Sequence, residues 1–342
     1  MAGRSRNAPA ILLEAVYRTE RNGPIRMKID AQEILRGDQL AGARLIRLLE
    51  EGDSRGKEIL KQLYPHTGKT FVMGLTGPPG SGKSTLVNAI IGEIRRRKLK
   101  IAVVAIDPSS PISGGALLGD RIRMRRHTED GGVFIRSMAT RGHLGGLSKT
   151  TRETVLVFDA MGYDVVLIET VGVGQDEVEI AQFAHSTAVV SLPGMGDDIQ
   201  AMKAGLLEIG NIFVVNKADT PGAGEVVEQL RAMLQMSSGP EDQWQPPVLK
   251  TVAIKERGID KLVDAFWQHR GFLLETGRFE EHNTKWEFQI FRQMVVEMAA
   301  ERIFSQVQDS PAYSDLCNNL KNRKMDPFSA AEFLTKGLKY EK

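Results

Sequence analysis

The chain has 342 residues, a net charge of +2, and 26% charged residues of nearly balanced sign, which excludes a polybasic nucleic-acid binder or membrane anchor. The single cysteine, Cys317, excludes an internal disulfide framework and fits a reducing compartment. No apolar stretch reaches bilayer length, and Met1–Ala10 carries arginines without an apolar signal core, so a cytoplasmic protein is expected.

Residues 27–66 read as helices. Asp30 and Glu33 have capping-box spacing, and Asp38 opens a second pattern with Leu40, Ala41, Ala43, Leu45, Ile46, Leu48 and Leu49 on overlapping faces. Gly52 and Asp53 interrupt it, and Lys57–Tyr64 adds a short third helix.

From Thr70 the pattern changes. Apolar runs at Phe71–Leu75, Ile101–Ile106, Val133–Ile135, Val165–Ile168, Thr187–Leu192, Ile212–Val215 and Val248–Val252 alternate with helical segments. Those helices are Ser84–Arg97, Thr151–Met161, Asp197–Leu207, Gly224–Leu234 and Ile259–Leu274. Continuous apolar runs suit parallel strands covered on both faces. The expected fold is α/β, a doubly wound and mostly parallel sheet, with ligand at the carboxyl ends of its strands.

The first strand leads into Gly77-Pro78-Pro79-Gly80-Ser81-Gly82-Lys83-Ser84, followed by Thr85. This G-x-x-x-x-G-K-[ST] pattern between strand and helix is a phosphate-binding loop. The glycines let backbone N–H groups curl around phosphates, and the helix start adds its positive dipole end. Lys83 suits the β- and γ-phosphates, and the Ser84 hydroxyl suits Mg²⁺.

Asn216-Lys217-Ala218-Asp219 follows the run Ile212–Val215. An N-K-x-D tetrad at a strand end, downstream of a phosphate loop, reads guanine. Its carboxylate accepts from the N1–H and the 2-amino group. Contacts worth ~1.5–3 kcal/mol each give roughly 10²–10⁴-fold preference over adenine. Thr251-Val252-Ala253 ends the next strand, where a backbone N–H is expected to meet the base oxygen.

Metal and γ-phosphate chemistry needs carboxylates at strand ends. Asp107 ends one run, and Glu169 ends another and begins Glu-Thr-Val-Gly, which closes at Gly172. Asp120 lies in the glycine-rich stretch Gly114–Asp120. Arg95-Arg96-Arg97-Lys98 is expected to complement the dipole at the end of the phosphate-loop helix. Arg121, Arg123, Arg125 and Arg126 leave three readings open: a solvated face, a docking patch or a phosphate-sensing arginine.

After Phe279 the strands stop. Trp286, Ile290, Phe291, Met294, Val295 and Met298 make an apolar stripe on one long helix, and shorter helices follow around Tyr313–Leu320 and Ser329–Leu338. The expected organisation is an N-terminal helical extension over 1–66, a P-loop GTPase domain over 67–278, and a C-terminal helical segment over 279–342 whose apolar stripe needs a partner surface, from the domain itself or from a second copy, the latter making it a dimerisation segment.

These motifs resemble the MeaB/ArgK family of P-loop GTPases, whose human relative is the methylmalonic aciduria type A protein. The resemblance rests on Gly77–Thr85, Asp107-Pro108-Ser109-Ser110, Gly119-Asp120-Arg121, Met138–Leu147, Glu169–Gln175, Leu192–Asp197 and Asn216–Asp219. It implies a homodimeric GTPase using GTP, GDP and Mg²⁺, which gates adenosylcobalamin loading of an acyl-CoA mutase of the methylmalonyl-CoA type and protects that enzyme. Ser84, Asp107, Asp120 and Glu169 match the family's Mg²⁺ and switch positions. Lys83, Glu169 and Lys203 match catalytic or coupling positions, and Leu192–Lys203 matches a switch that meets the mutase. Glu169 stands where small GTPases carry the Asp of D-x-x-G, and Gln175 lies three residues past Gly172.

Other readings are a nickel metallochaperone and a nucleotide-dependent kinase of amino-acid transport. Six scattered histidines and one cysteine argue against the first. No histidine has an Asp two residues before it, as the base-off motif D-x-H-x-x-G requires, so cobalamin is expected on the partner.

Overall fold

A computed structural model describes residues 29–107, 127, 129–139, 149–170, 180, 183–194, 206–236, 243–308 and 310–336. Two compact units divide the chain, Met1–Phe272 and Leu273–Lys342.

The first unit opens with α1 (Ala31–Leu35), α2 (Gln39–Glu50) and α3 (Ser54–Leu63). Each has an aspartate N-cap. Asp30 accepts from the Gln32 N–H, Asp38 from Ala41 and Asp53 from Arg55. The capping-box expectation for Asp30 therefore shifts by one residue: its side chain takes Gln32, while the Glu33 N–H bonds the Asp30 carbonyl. The third helix begins at Ser54 rather than Lys57, because Asp53 caps it.

The sheet follows. β1 (Phe71–Thr76) leads into α4 (Lys83–Arg96), then come β2 (Ile101–Asp107), β3 (Val133–Ala139) and α5 (Lys149–Ala160). β4 (Val165–Thr170), β5 (Ser186–Ser191), α6 (Leu206–Ile209), β6 (Ile212–Val215) and α7 (Ala223–Met236) come next. β7 (Val248–Lys250) and α8 (Ile259–Glu275) follow. Among the described residues the strand order is β3-β2-β4-β1-β5-β6-β7, with every neighbouring pair parallel. This is the doubly wound P-loop NTPase fold. β1, β4, β5 and β6 are buried along their whole length, which explains their continuous apolar sequences.

β7 is shorter than its apolar run. Thr251 still donates its N–H to the Val215 carbonyl, but Val252 turns away into an antiparallel bridge with Arg257. β3 is longer, reaching Ala139, because each residue from Val133 to Ala139 finds a partner on β2. α2 packs against α5. Glu50 at its end forms an ion pair with Arg136 of β3, while Gln39 donates to the carbonyls of Gly131 and Val133.

Asp159 ties α5 to the start of β1. Its carboxylate accepts from the backbone N–H groups of Gly68, Lys69 and Thr70. Burial pushes its pKa up, and those three donors oppose the shift.

The arginine run has a larger role than a dipole complement. Arg95 pairs with Asp130, Arg96 with Glu93 and Glu256, and Arg97 with Glu93 and Asp264.

The second unit contains α9 (Arg278–Val307), α10 (Pro311–Lys321) and α11 (Pro327–Lys336). Ser310 caps α10 through the Tyr313 N–H, with Pro311 at its first position. Among the described residues, no helix is long and apolar enough to cross a membrane.

Candidate nucleotide site

The site lies at the carboxyl ends of β1, β4 and β6. Gly77, directly after β1, has φ +140°. A Cβ there would collide with the Val190 carbonyl of β5, so only glycine lets the loop leave the sheet this close to its neighbour. Gly82 has φ +88°, and a Cβ there would meet Asn216 Nδ2 at 2.6 Å. Pro78, Pro79, Gly80 and Ser81 complete the turn between these two glycines.

Lys83 begins α4 and is buried. Its Nζ donates to the Gly77 carbonyl at 2.5 Å and the Pro78 carbonyl at 3.0 Å, so the ammonium lies against the loop that it serves. Ser84 Oγ donates to Glu169 Oε1 at 2.8 Å. Thr85 sits in the same helical turn. Glu169 is buried near the end of β4, and Thr170 donates to Thr76 Oγ1 at 3.2 Å, joining the ends of β4 and β1.

The two oxygen groups, Ser84 and Glu169, suit a hard cation such as Mg²⁺. Among the described residues no three His, Cys, Asp or Glu side chains cluster as a metal cage. Such an incomplete set is what Mg²⁺ accepts when nucleotide phosphates and water supply its other ligands. Asp107 ends β2, the strand paired with β4, but its side chain lies outside the described residues. Asp120, Gly172, Lys203, Arg121, Arg123, Arg125 and Arg126 also lie outside them, as does Leu192–Lys203 beyond Gly194.

Asn216 forms the junction between the two halves of the site. Its Nδ2 donates to the Ser81 carbonyl at 2.8 Å. Its Oδ1 accepts from Thr251 Oγ1 at 3.1 Å and from the Ala253 N–H at 3.2 Å. One buried side chain thus pins the phosphate loop to the segment Thr251-Val252-Ala253. Of the backbone N–H groups in Thr251-Val252-Ala253, where the sequence places a contact to the base, that of Ala253 is used by Asn216. Lys217 adopts φ +54°, and its Nζ donates to the Gly80 carbonyl at 2.9 Å, a second strap across the loop. Asp219 lies beyond, half exposed and paired with Lys255 Nζ at 2.7 Å. The Lys255 ammonium holds the Asp219 carboxyl below its ordinary value, keeping it an acceptor.

Sequence reasoning found the phosphate loop and the N-K-x-D tetrad but missed Lys255 and the bridging work of Asn216. The tetrad marked Asn216 as important; nothing local marked Lys255, whose partner lies 36 residues away.

Comparison with known proteins agrees with this geometry. The family profile described as "Methylmalonyl Co-A mutase-associated GTPase MeaB" matches residues 42–308. A Pyrococcus abyssi protein named as a GTPase is 45% identical over 307 residues, covering 89% of this chain and 94% of its own. The mouse protein "Methylmalonic aciduria type A homolog, mitochondrial" is 30% identical over 285 residues, covering 77% of this chain and 69% of its own. A crystal structure of a "LAO/AO transport system kinase" superposes with a TM-score of 0.65 at 26% identity, covering 90% of this chain and 95% of that one. A guanine-type P-loop site on a parallel sheet, matched across this span, leads to one conclusion: the chain belongs to the MeaB family of P-loop GTPases.

Proposed function

We propose that this GTPase is a chaperone for an adenosylcobalamin-dependent acyl-CoA mutase of the methylmalonyl-CoA type. GTP binding and hydrolysis gate the loading of intact cofactor and protect the mutase from inactivation. The observation that carries this reading is the mutase-associated family match over residues 42–308. Adenosylcobalamin sits on the partner. The protein works as a cytoplasmic homodimer.

Within the site, Lys83 neutralises the β- and γ-phosphates, and Gly77–Thr85 cradles them with backbone N–H groups. Ser84, Asp107, Asp120 and Glu169 are the residues that would hold Mg²⁺, which when bound would supply charge neutralisation for the phosphates. Asn216, Lys217, Asp219 and Thr251-Val252-Ala253 are assigned to the guanine side, and Gly172 to the γ-phosphate. Lys203, in the segment Leu192–Lys203, couples the client to turnover.

The test is GTP turnover with and without a methylmalonyl-CoA mutase. The mutase should accelerate wild type, and Lys203→Ala should bind GTP normally but lose most of that acceleration. An arginine finger or water-positioning glutamine completed by a partner is worth ~10³–10⁵ in rate, which sets the scale of the expected acceleration. No acceleration by any acyl-CoA mutase would overturn the chaperone reading. The "LAO/AO transport system kinase" likeness favours a second reading, a nucleotide-dependent kinase. Phosphate transfer from GTP to a protein of an amino-acid transport system, rather than to water, would establish it.

A further inference from the structure

A second cavity opens at the opposite end of β1 from the phosphate loop, on the order of 17 Å away for a strand of this length. Its volume is about 500 Å³, within the range of small-molecule sites. Phe71, Trp267, Arg270, Lys69, Asp159 and Asp164 are among its lining residues. All belong to the first compact unit.

The chemistry of this lining is uneven. The two acids are committed to backbone donors. Asp159 accepts from Gly68 at 2.6 Å and from Thr70 at 3.1 Å, and Asp164 accepts from the Lys100 N–H at 2.7 Å. Arg270 is different. Its guanidinium lies 5.9 Å from the Phe71 ring centroid, and its Nε is buried with no hydrogen-bond partner among the described residues. A buried donor on a permanent cation is costly to leave unmade. Lys69 brings a second positive charge to the same cavity. The Phe71 and Trp267 rings, with centroids 5.4 Å apart, supply an apolar wall beside the guanidinium.

We infer that this cavity binds a small organic anion: a flat apolar body against Phe71 and Trp267, and one acidic group on Arg270 with Lys69 nearby. A planar acid fits because guanidinium pairs with carboxylate in a fork geometry and leaves its face for the ring. The site is separate from the nucleotide site and does not depend on how GTP is used.

The test is calorimetric titration of the full chain with 2-naphthoate and with its neutral analogue 2-naphthamide, each with and without saturating GDP. Naphthoate should bind at one site per chain, about tenfold or more tighter than the amide, the weight of a charge-assisted hydrogen bond. Arg270→Gln should erase that difference while GDP affinity stays at the wild-type value. Lys69→Gln, at an exposed position that the fold does not need, should weaken naphthoate and not naphthamide; it decides the matter if Arg270→Gln fails to fold. Naphthoate binding no tighter than the amide, binding undiminished in both variants, or displacement of naphthoate by GDP would each overturn the proposal.

Discussion

Ser84 Oγ donates to Glu169 Oε1 across 2.8 Å, joining the first turn of α4 to the end of β4. These residues lie 85 positions apart, and Ser84 is the last residue of the P-loop pattern Gly77–Ser84. Ser84→Ala should raise the Mg²⁺ concentration needed for half-maximal GTP turnover roughly 10–100-fold, the weight of one charge-assisted contact. GDP binding without Mg²⁺ should change little. Turnover across a Mg²⁺ series checks this; an unchanged Mg²⁺ midpoint would remove Ser84 from the metal site.

Asn216→Ala should damage both stability and nucleotide binding. It removes hydrogen bonds to Ser81, Thr251 and Ala253 from a buried position. At net values near 1 kcal/mol each, the cost is on the order of 2–4 kcal/mol. Thermal unfolding should show a midpoint several degrees lower, and GDP titration should show weaker binding. A variant with wild-type melting and affinity would mean the two loops are held by something else.

Asp219→Asn should move base preference from guanine to xanthine, because the Asn amide donates to the 2-oxo group that xanthine carries. Titrating GDP, XDP and ADP against both forms checks the switch. The Lys255 ammonium can still donate to the amide oxygen in place of the ion pair, so the fold is expected to persist. Equal affinity of wild type for ADP and GDP would contradict the guanine reading.

His269 makes the first unit acid-sensitive. It is buried beside Trp244 and Phe272, and its Nδ1 has no hydrogen-bond partner among the described residues. Burial lowers its pKa from 6.5 to about 4. The unfolded chain therefore binds a proton between those values that the folded chain refuses. Stability is fully present above pH 6.5 and is lost as pH falls toward 4, by on the order of 3 kcal/mol. Urea midpoints at neutral and acid pH should diverge in wild type. His269→Phe should flatten that dependence, and an equal pH dependence in both forms would exclude His269 as its source.

The proposed dimer rests on α9. Phe288 and Phe291 are 63% and 61% exposed, and Val295 and Met298 continue the same stripe at helical spacing. Phe288→Glu combined with Phe291→Glu should yield a monomer that still binds GDP. Sedimentation at micromolar concentration checks it; a wild-type monomer under those conditions would remove the dimer from the proposal.

Several features were legible because their signals are local. Gly77–Ser84 specifies a turn, a helix start and a phosphate cradle within eight consecutive residues. Strands buried on both faces have to be continuous apolar runs, so Val165–Ile168 and Ile212–Val215 announced themselves. Asp219 was legible for the same reason, as part of a tetrad after such a run.

Other features required the fold. The sequence alone determined the parallel sheet with its P-loop pattern and placed an N-K-x-D tetrad after one of the strands. Tertiary structure decided that Asn216 reaches Ser81, 135 residues earlier, that Lys255 guards Asp219, and that Arg270 reaches the cavity at the far end of β1. The capping shift at Asp30 and the early end of β7 also emerged only there. The physical reason is one of range. Turns, caps and strand burial are set by neighbours along the chain, whereas a side chain's partner across the sheet depends on strand order and register, which no short stretch of sequence encodes.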